Sequence, residues 1–195
     1  MIKKIRPYTK SQFEKFYKTL HGCTGNGELD MCDYNIIKKI VKQVKPKSIL
    51  ELGFGNGSSA SMWAAASRTS NIVSIDIWVK DHQNENAFKI QSIMRGGSFK
   101  LEWADIHHIL TDKNYQNKYD LVFVDGDPYK VEFEVEVAMA LNPKYLVLNN
   151  WFHPQHREEV QLAANIKGLK LENHFTSECG IALLSNPYYT DANNI

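Results

Sequence analysis

The stretch Ser48-Ile-Leu-Glu-Leu-Gly-Phe-Gly-Asn-Gly-Ser-Ser-Ala60 constrains the fold of this chain more than any other. Its apolar run over residues 49–52 is typical of a short buried strand. Three glycines follow at every second position, where glycine permits positive φ angles and a close backbone approach that a Cβ atom would block. The alanine-rich residues 58–67 predict a helix whose amino end carries free N–H groups and a partial positive charge. This combination indicates a site for a nucleotide-like ligand, with Glu51 beside it to bind a charged amine or a hydroxyl.

Two cofactor patterns are compatible with these glycines. The dinucleotide pattern G-x-G-x-x-G/A of NAD enzymes fits Gly55, Gly57 and Ala60, but it then starts two residues late. The pattern E-x-G-x-G-x-G of S-adenosylmethionine (SAM) methyltransferases is filled completely by Glu51, Gly53, Gly55 and Gly57, directly after the strand. A glycine-rich turn without a ligand is the third interpretation. We favour SAM over NAD because of the residues downstream.

The bulk composition bears on what the protein can bind. A chain of 195 residues, 43% of them apolar, predicts one domain with a substantial core. The net charge of +1 gives no electrostatic basis for binding nucleic acid, and no apolar run approaches the roughly 20 residues of a membrane span. The amino terminus lacks the apolar segment of a secretory signal, and the three cysteines lack C-x-x-C spacing. We expect a cytoplasmic protein without nucleic-acid or membrane partners; the oligomeric state stays open.

Residues 1–46 are expected to precede the cofactor-binding core as helices and a loop. A capping box of Ser11 and Glu14, followed by aromatic residues at helical spacing, predicts an early helix. The glycine-containing loop after it is either an ordinary connection or part of a substrate lid. Residues 47–186 are expected to form the core, and residues 187–195 a loose polar tail.

Five predicted strands end in polar side chains, namely Glu51, Asp76, Asp105, Asp125 and Asn149. Strands that alternate with helical segments indicate an open, mostly parallel α/β sheet. Ligands of such sheets bind beyond the carboxyl ends of the strands. The shared position of these five side chains is therefore stronger evidence for a site than any one of them.

Two aspartates are candidates for contacts with the nucleoside of the ligand. Asp76 comes about twenty residues after the glycines, where an acid can accept hydrogen bonds from both ribose hydroxyls. Ile77 and Trp78 follow it and are candidates to flank the adenine. Asp105 ends the third strand and is a candidate acceptor for the adenine amino group. A helix cap or a turn remains the alternative role for both aspartates.

Residues 131–137 alternate apolar side chains with glutamates, which is the period of a strand. We nevertheless predict a helix there, because the parallel strands before and after it need a crossover connection. Residues 169–175 and 180–185 lie close together in sequence and are expected to pair as antiparallel strands.

Residues 30–186 resemble the class I SAM-dependent methyltransferases, and most closely the small-molecule O-methyltransferases related to catechol O-methyltransferase. The resemblance is carried by Ile49–Ala60, Ile75-Asp76, Ala104-Asp105 and Leu121-Val-Phe-Val-Asp-Gly-Asp127. It implies a Rossmann-like, seven-stranded, mostly parallel sheet of order 3-2-1-4-5-7-6, with strand seven antiparallel and helices on both faces. It also implies SAM as the cofactor, with Glu51, Gly53, Gly55, Gly57, Ser58 and Ser59 around the methionine part, Asp76 on the ribose and Asp105 near the adenine.

The resemblance raises the question of a metal ion. Catechol-type relatives bind a divalent cation through an Asp after strand four and an Asp-Asn pair after strand five. Asp125 matches the first position, but the pair here is Asn149-Asn150. A hard cation prefers carboxylate oxygens, so the lost carboxylate argues against a Mg²⁺ requirement. If Mg²⁺ binds, its ligands are Asp125, Asn149 and Asn150.

Methyl transfer requires an aligned nucleophile and a group that takes or stabilises its proton. Asp125, Lys130 and His153 are the candidate catalytic residues, and Asp125 is also a candidate ligand of the SAM amino group. Pro128 occupies the position of the lysine expected in relatives, and Lys130 lies two residues beyond it. Lys130 and His153 also suit solvated helix positions. We predict transfer of a methyl group to an oxygen of a small molecule; an inactive SAM-binding module and an N-methyltransferase are the alternatives.

Overall fold

The computed structural model describes residues 5–21, 31–77, 80–126, 130–154, 156–177 and 180–190. Strands and helices alternate between residues 48 and 175. The strands are β1 (Ser48–Leu52), β2 (Asn71–Asp76), β3 (Ser98–Trp103), β4 (Leu121–Val124), β5 (Tyr145–Leu148), β6 (Lys170–Phe175) and β7 (Ile181–Ser185). The helices are α1 (Lys10–His21), α2 (Met31–Val44), α3 (Ser58–Ala66), α4 (Asp81–Ile93), α5 (Ile106–Thr111), α6 (Val131–Ala140) and α7 (Arg157–Ile166).

The strands form one seven-stranded sheet of order β3-β2-β1-β4-β5-β7-β6. Strands β1 to β5 pair in parallel, and β7 runs antiparallel to both of its neighbours, β5 and β6. The strand order reverses between β1 and β4, so the carboxyl ends of these two strands flank the switch point of the sheet. The predicted Rossmann-like topology, including the late antiparallel pair, is confirmed.

Two hydrophobic cores lie on opposite faces of the sheet. Side chains of α1 to α4 pack on one face, and side chains of α5 to α7 pack on the other. Strand β4 contributes Leu121 and Phe123 to the first core and Val122 and Val124 to the second. Because both faces are covered, this central strand consists of four consecutive apolar residues. Among the described residues no helix combines the length and apolarity that crossing a bilayer requires.

The ambiguous segment after β4 is the predicted helix, α6. Val131, Val135 and Ala138 recur at helical spacing and are buried against the sheet, whereas Glu132 and Glu136 are exposed. The segment also connects the parallel strands β4 and β5. The need for a crossover between parallel strands therefore overrides the period-two pattern of the sequence.

The amino-terminal capping box differs from the prediction. Helix α1 begins at Lys10, and Thr9 caps it: the Thr9 N–H donates to Gln12 Oε1 at 2.9 Å, and the Gln12 N–H donates to Thr9 Oγ1 at 3.2 Å. The predicted box of Ser11 and Glu14 is wrong, because Thr9-x-x-Gln12 satisfies the same motif two residues earlier.

The turn after β1 brings two backbones into close contact. Gly53 has a φ of 95°, and a Cβ atom at this position would lie 2.5 Å from the backbone oxygen of Asp125. No side chain fits there, so the glycine lets the end of β1 approach the end of β4. The carboxyl edge of the sheet depends on this contact.

We predict that Gly53→Ala destabilises the fold more than Gly96→Ala. Gly96 has a similar φ of 102°, but a Cβ atom there would meet Ile5 Cδ1 at 3.6 Å, an ordinary van der Waals contact. The left-handed conformation costs about 1–2 kcal/mol in both variants. The clash with Asp125 adds about 1–3 kcal/mol in Gly53→Ala alone. Urea denaturation measures the free energy of unfolding of both variants. An equal loss of this free energy in the two variants would contradict the close approach of Gly53 to Asp125.

Candidate functional site

The glycine loop between β1 and α3 forms the centre of the site. Gly53, Gly55 and Gly57 have φ angles of 95°, 52° and 84°, all in the region that favours glycine. Gly57 is the N-cap of α3, and Ser58 and Ser59 are buried in the first turn of this helix. Gly57 has no side chain with which to cap the amino end of α3. Its backbone N–H groups therefore suit an anionic group of a ligand.

Asp76 connects the end of β2 to this loop. Its Oδ2 accepts a hydrogen bond from the N–H of Gly55 at 2.9 Å. Ile77, the next residue, is 48% exposed, and Trp103 of the neighbouring strand donates its indole N–H to the backbone oxygen of Ile77 at 2.6 Å. The predicted nucleoside residues Asp76 and Ile77 thus lie together beside the loop. Trp103 joins them, and the sequence analysis missed it.

Helix α4 holds the glycine loop from its other side. Gln83 donates from Nε2 to the backbone oxygen of Gly55 at 2.6 Å, and Asn86 donates from Nδ2 to the backbone oxygen of Asn56 at 3.0 Å. Both side chains are buried. They lie on the same buried stripe as Ile90 and Ile93 at helical spacing, which was the available sequence signal. We call these two residues the polar clasp.

The amino-terminal segment reaches the same helix end. Tyr17 of α1 donates its hydroxyl to Ser58 Oγ at 3.1 Å, and the pair is partly buried. The predicted lid loop after α1 lies mostly outside the described residues. Tyr17 therefore provides a contact between α1 and the first turn of α3.

Glu51 is fully buried in β1. Ser74 of β2 donates a hydrogen bond to Glu51 Oε2, whereas Oε1 is enclosed and accepts none from the described residues. The pKa of Glu51 is raised to about 8, first by burial and also by the nearby charges of Asp125 and Asp76. The hydroxyls of Ser59 and Ser74 lower the pKa and offset this rise only in part. At neutral pH the carboxyl group is therefore mostly protonated.

Asp125 and Asn149 meet at the carboxyl ends of β4 and β5. The amide Nδ2 of Asn149 donates to Asp125 Oδ1 at 2.6 Å. The other amide atom, Asn149 Oδ1, is enclosed and accepts no hydrogen bond from the described residues. Asn150 adopts a left-handed φ of 60°, and its backbone oxygen accepts the N–H of His153 at 3.1 Å. The structure thus brings two of the three candidate metal ligands into direct contact.

The remaining predicted residues have structural roles of their own. Asp105 is the N-cap of α5 and accepts the N–H of His107 at 2.9 Å, so the capping alternative holds for this side chain. Lys130 is exposed immediately before α6. The ring of His153 stacks on buried His156, with centroids 4.7 Å apart. Their functional roles stay predictions, and Trp78, Asp127 and Pro128 lie outside the described residues.

The structure is similar to solved structures of methyltransferases. An O-methyltransferase from Bacillus cereus in complex with S-adenosylhomocysteine (SAH) aligns with a TM-score of 0.67 and 15% sequence identity, covering 95% of this chain and 93% of that chain. An SAH-bound methyltransferase from Podospora anserina gives a TM-score of 0.67 at 14% identity, covering 94% of this chain and 90% of that chain. This chain has the class I methyltransferase fold.

A third structure with this fold is the O-methyltransferase TomG from Streptomyces achromogenes, involved in tomaymycin synthesis and solved in complex with SAM. Its TM-score is 0.65 at 14% identity, and the alignment covers 95% of this chain and 92% of that chain. No protein-family model matches the sequence, and no curated protein matches it either. The similarity is therefore one of three-dimensional structure, and it confirms the predicted resemblance for the fold.

We predict that Gln83→Ala loosens the glycine loop of this methyltransferase fold. A hydrogen bond of this kind contributes about 0.5–1.5 kcal/mol, so its loss should speed amide exchange of Gly55 about 2- to 10-fold. Hydrogen exchange followed by NMR or mass spectrometry measures this rate. The matched control is Gln91→Ala, on the same helix, where Gln91 Oε1 accepts the N–H of Phe99 at 2.5 Å. Unchanged exchange in Gln83→Ala would show that the polar clasp does not hold the loop.

Proposed function

We propose that the protein is a SAM-dependent methyltransferase that transfers a methyl group to an oxygen of a small-molecule acceptor. The observation that carries this proposal is the position of Glu51 and Asp76. Both acids flank a glycine loop with positive φ angles, at the switch point of a sheet of order β3-β2-β1-β4-β5-β7-β6. Ligands of open α/β sheets bind at this point.

The chemistry of the loop and its two acids fits the parts of SAM. Glu51 has an enclosed oxygen without a partner among the described residues, and the α-ammonium group of SAM would supply both a donor and a positive charge. The amino end of α3 suits the α-carboxylate. Asp76 suits the ribose hydroxyls, with Ile77 and Trp103 beside the adenine. Asp105 retains its predicted role near the adenine amino group.

The bound molecules of the similar structures support the choice of SAM. SAH occupies the Bacillus cereus and Podospora anserina proteins, and SAM occupies TomG. A fold by itself hosts many acceptors. We assign a small-molecule acceptor because the two O-methyltransferases span nearly the same length as this chain and the net charge is only +1.

In the proposed reaction the chain aligns the acceptor and removes its proton, while SAM supplies an electrophilic methyl group. Asp125 is the residue we assign to accept the hydroxyl proton; the methyl carbon would pass from the sulfur of SAM to the acceptor oxygen, and SAH would be the leaving group. Asn149 orients this carboxylate through its hydrogen bond. Lys130 and His153 are the alternative partners of the acceptor hydroxyl. We assign residues 1–46 to cover the acceptor, because Tyr17 already reaches Ser58.

We also place the reaction in the cytoplasm. Three cysteines without disulfide-like spacing fit a reducing compartment.

We predict that Asp76→Asn weakens SAH binding about 10- to 100-fold, because hydrogen bonds to a charged acceptor contribute about 1.5–3 kcal/mol. An asparagine keeps one oxygen for the N–H of Gly55, so the loop should stay in place. Isothermal titration calorimetry measures the affinity. The matched control is Asp112→Asn, another carboxylate that accepts a backbone amide, that of Asn114 at 2.8 Å. Equal affinities of wild type and Asp76→Asn would refute the assignment of Asp76.

The activity itself is tested by incubating the wild-type protein with SAM and a panel of phenols, sugars and hydroxy acids. Steady formation of SAH with one acceptor supports the enzyme. Tight SAH binding without turnover on the broad panel favours the non-catalytic module instead. Binding of NAD and not SAH would overturn the proposal as a whole.

A further inference from the structure

The positions at which catechol-type relatives bind a divalent cation are occupied here by one carboxylate and two amides. These residues are Asp125 at the end of β4 and Asn149 and Asn150 after β5. Mg²⁺ demands near-octahedral oxygen ligands and is usually held by one or two carboxylates together with substrate groups and water. The residues present must therefore be tested against this requirement.

The charge of the site is at the lower limit for a divalent cation, which is usually held by one or two carboxylates. Among the three positions only Asp125 carries a negative charge, and it already accepts the Asn149 amide at 2.6 Å. Among the described residues at these positions, a cation would meet a single carboxylate, one oxygen of which already accepts a hydrogen bond.

The orientation of Asn149 does not fit a cation. Its donor nitrogen faces Asp125, and its oxygen is enclosed and accepts no hydrogen bond from the described residues. Turning the amide over would place two oxygen acceptors 2.6 Å apart, an arrangement that repels unless a cation lies between them. Asn150 adds no charge, and its backbone oxygen accepts the N–H of His153. The donor set as folded therefore suits a hydrogen bond between two side chains.

We propose that the site works without a divalent cation, because the amide of Asn149 takes the place of the cation as the group that orients Asp125. This inference rests on the proposed methyl transfer. Asn149 is then a positioning residue, and Asp125 faces the acceptor hydroxyl directly. The hydrogen bond fixes the orientation in which the Asp125 carboxylate meets the acceptor hydroxyl.

The test is a titration of the full chain with Mn²⁺, followed by electron paramagnetic resonance of the free ion, with neither SAM nor acceptor present. Wild type should show no saturable binding up to about 1 mM. Asn149→Asp restores the second carboxylate, so it should bind Mn²⁺ at least tenfold more tightly than wild type. The control Asn165→Asp adds the same charge on the exposed side of α7 and should behave as wild type.

Methyl transfer provides the second measurement. With an accepting phenol, wild-type turnover should be unchanged by EDTA, whereas Asn149→Asp should become stimulated by Mg²⁺ and inhibited by EDTA. A purely structural role for Asn149 would create neither Mn²⁺ binding nor metal-dependent turnover.

Three outcomes would overturn the inference. They are saturable Mn²⁺ binding by wild type below about 1 mM, loss of wild-type turnover in EDTA, and a folded Asn149→Asp variant that binds Mn²⁺ less than tenfold more tightly than wild type. Circular dichroism checks folding, and if the variant is unfolded the wild-type titration decides alone. Failure of wild type to bind SAH overturns the proposed function instead, so the two failures are distinguishable.

Discussion

The close approach of β1 and β4 at Gly53 is the contact on which the site depends. A side chain there would collide with the backbone of Asp125, so the glycine keeps two neighbouring strand ends in contact. The same turn starts the loop that leads into α3, and it places buried Glu51 near the charge of Asp125. Backbone freedom at one residue thus determines the electrostatics of the site.

Because of this geometry, the buried carboxyl group of Glu51 lies near the carboxylates of Asp125 and Asp76. Burial and the charges of Asp125 and Asp76 keep Glu51 mostly protonated at neutral pH, and one of its oxygens accepts no hydrogen bond from the described residues. Such an arrangement disfavours stability unless a ligand completes it. A ligand with a positively charged amine supplies a hydrogen-bond donor for the enclosed oxygen and a positive charge that stabilises the ionised carboxylate. The buried acid is therefore the best physical reason to assign SAM to the loop rather than NAD, which has no ammonium group.

Most of the fold was predictable because its signals are local. The glycine pattern after a buried strand and the polar strand ends indicated a mostly parallel α/β sheet and its carboxyl edge, whereas the strand order was implied by the family resemblance. The helix over residues 131–137 followed from topology against a period-two pattern, and it is confirmed as part of α6. The capping box was placed at Ser11 instead of Thr9 because two overlapping sequences satisfy one motif.

The rest of the site depends on contacts between segments far apart in sequence. Gln83 reaches Gly55 across 28 positions, and Tyr17 reaches Ser58 across 41. The Asn149 amide was considered only as a weak metal ligand, because sequence gives its position but not the direction of its donor. Hydrogen bonds of this kind are visible only once the helices and strands are placed.

The central claim is that the buried carboxyl group of Glu51 receives a cationic amine. It is tested most directly by calorimetry of SAH binding at pH 7 in buffers of different ionisation enthalpy, which counts the protons released. With a pKa of about 8 in the empty site, Glu51 should ionise against the ammonium group. We predict release of about half a proton to one proton in wild type and none in Glu51→Gln. Absence of SAH binding, or the same proton count in both proteins, would contradict the account.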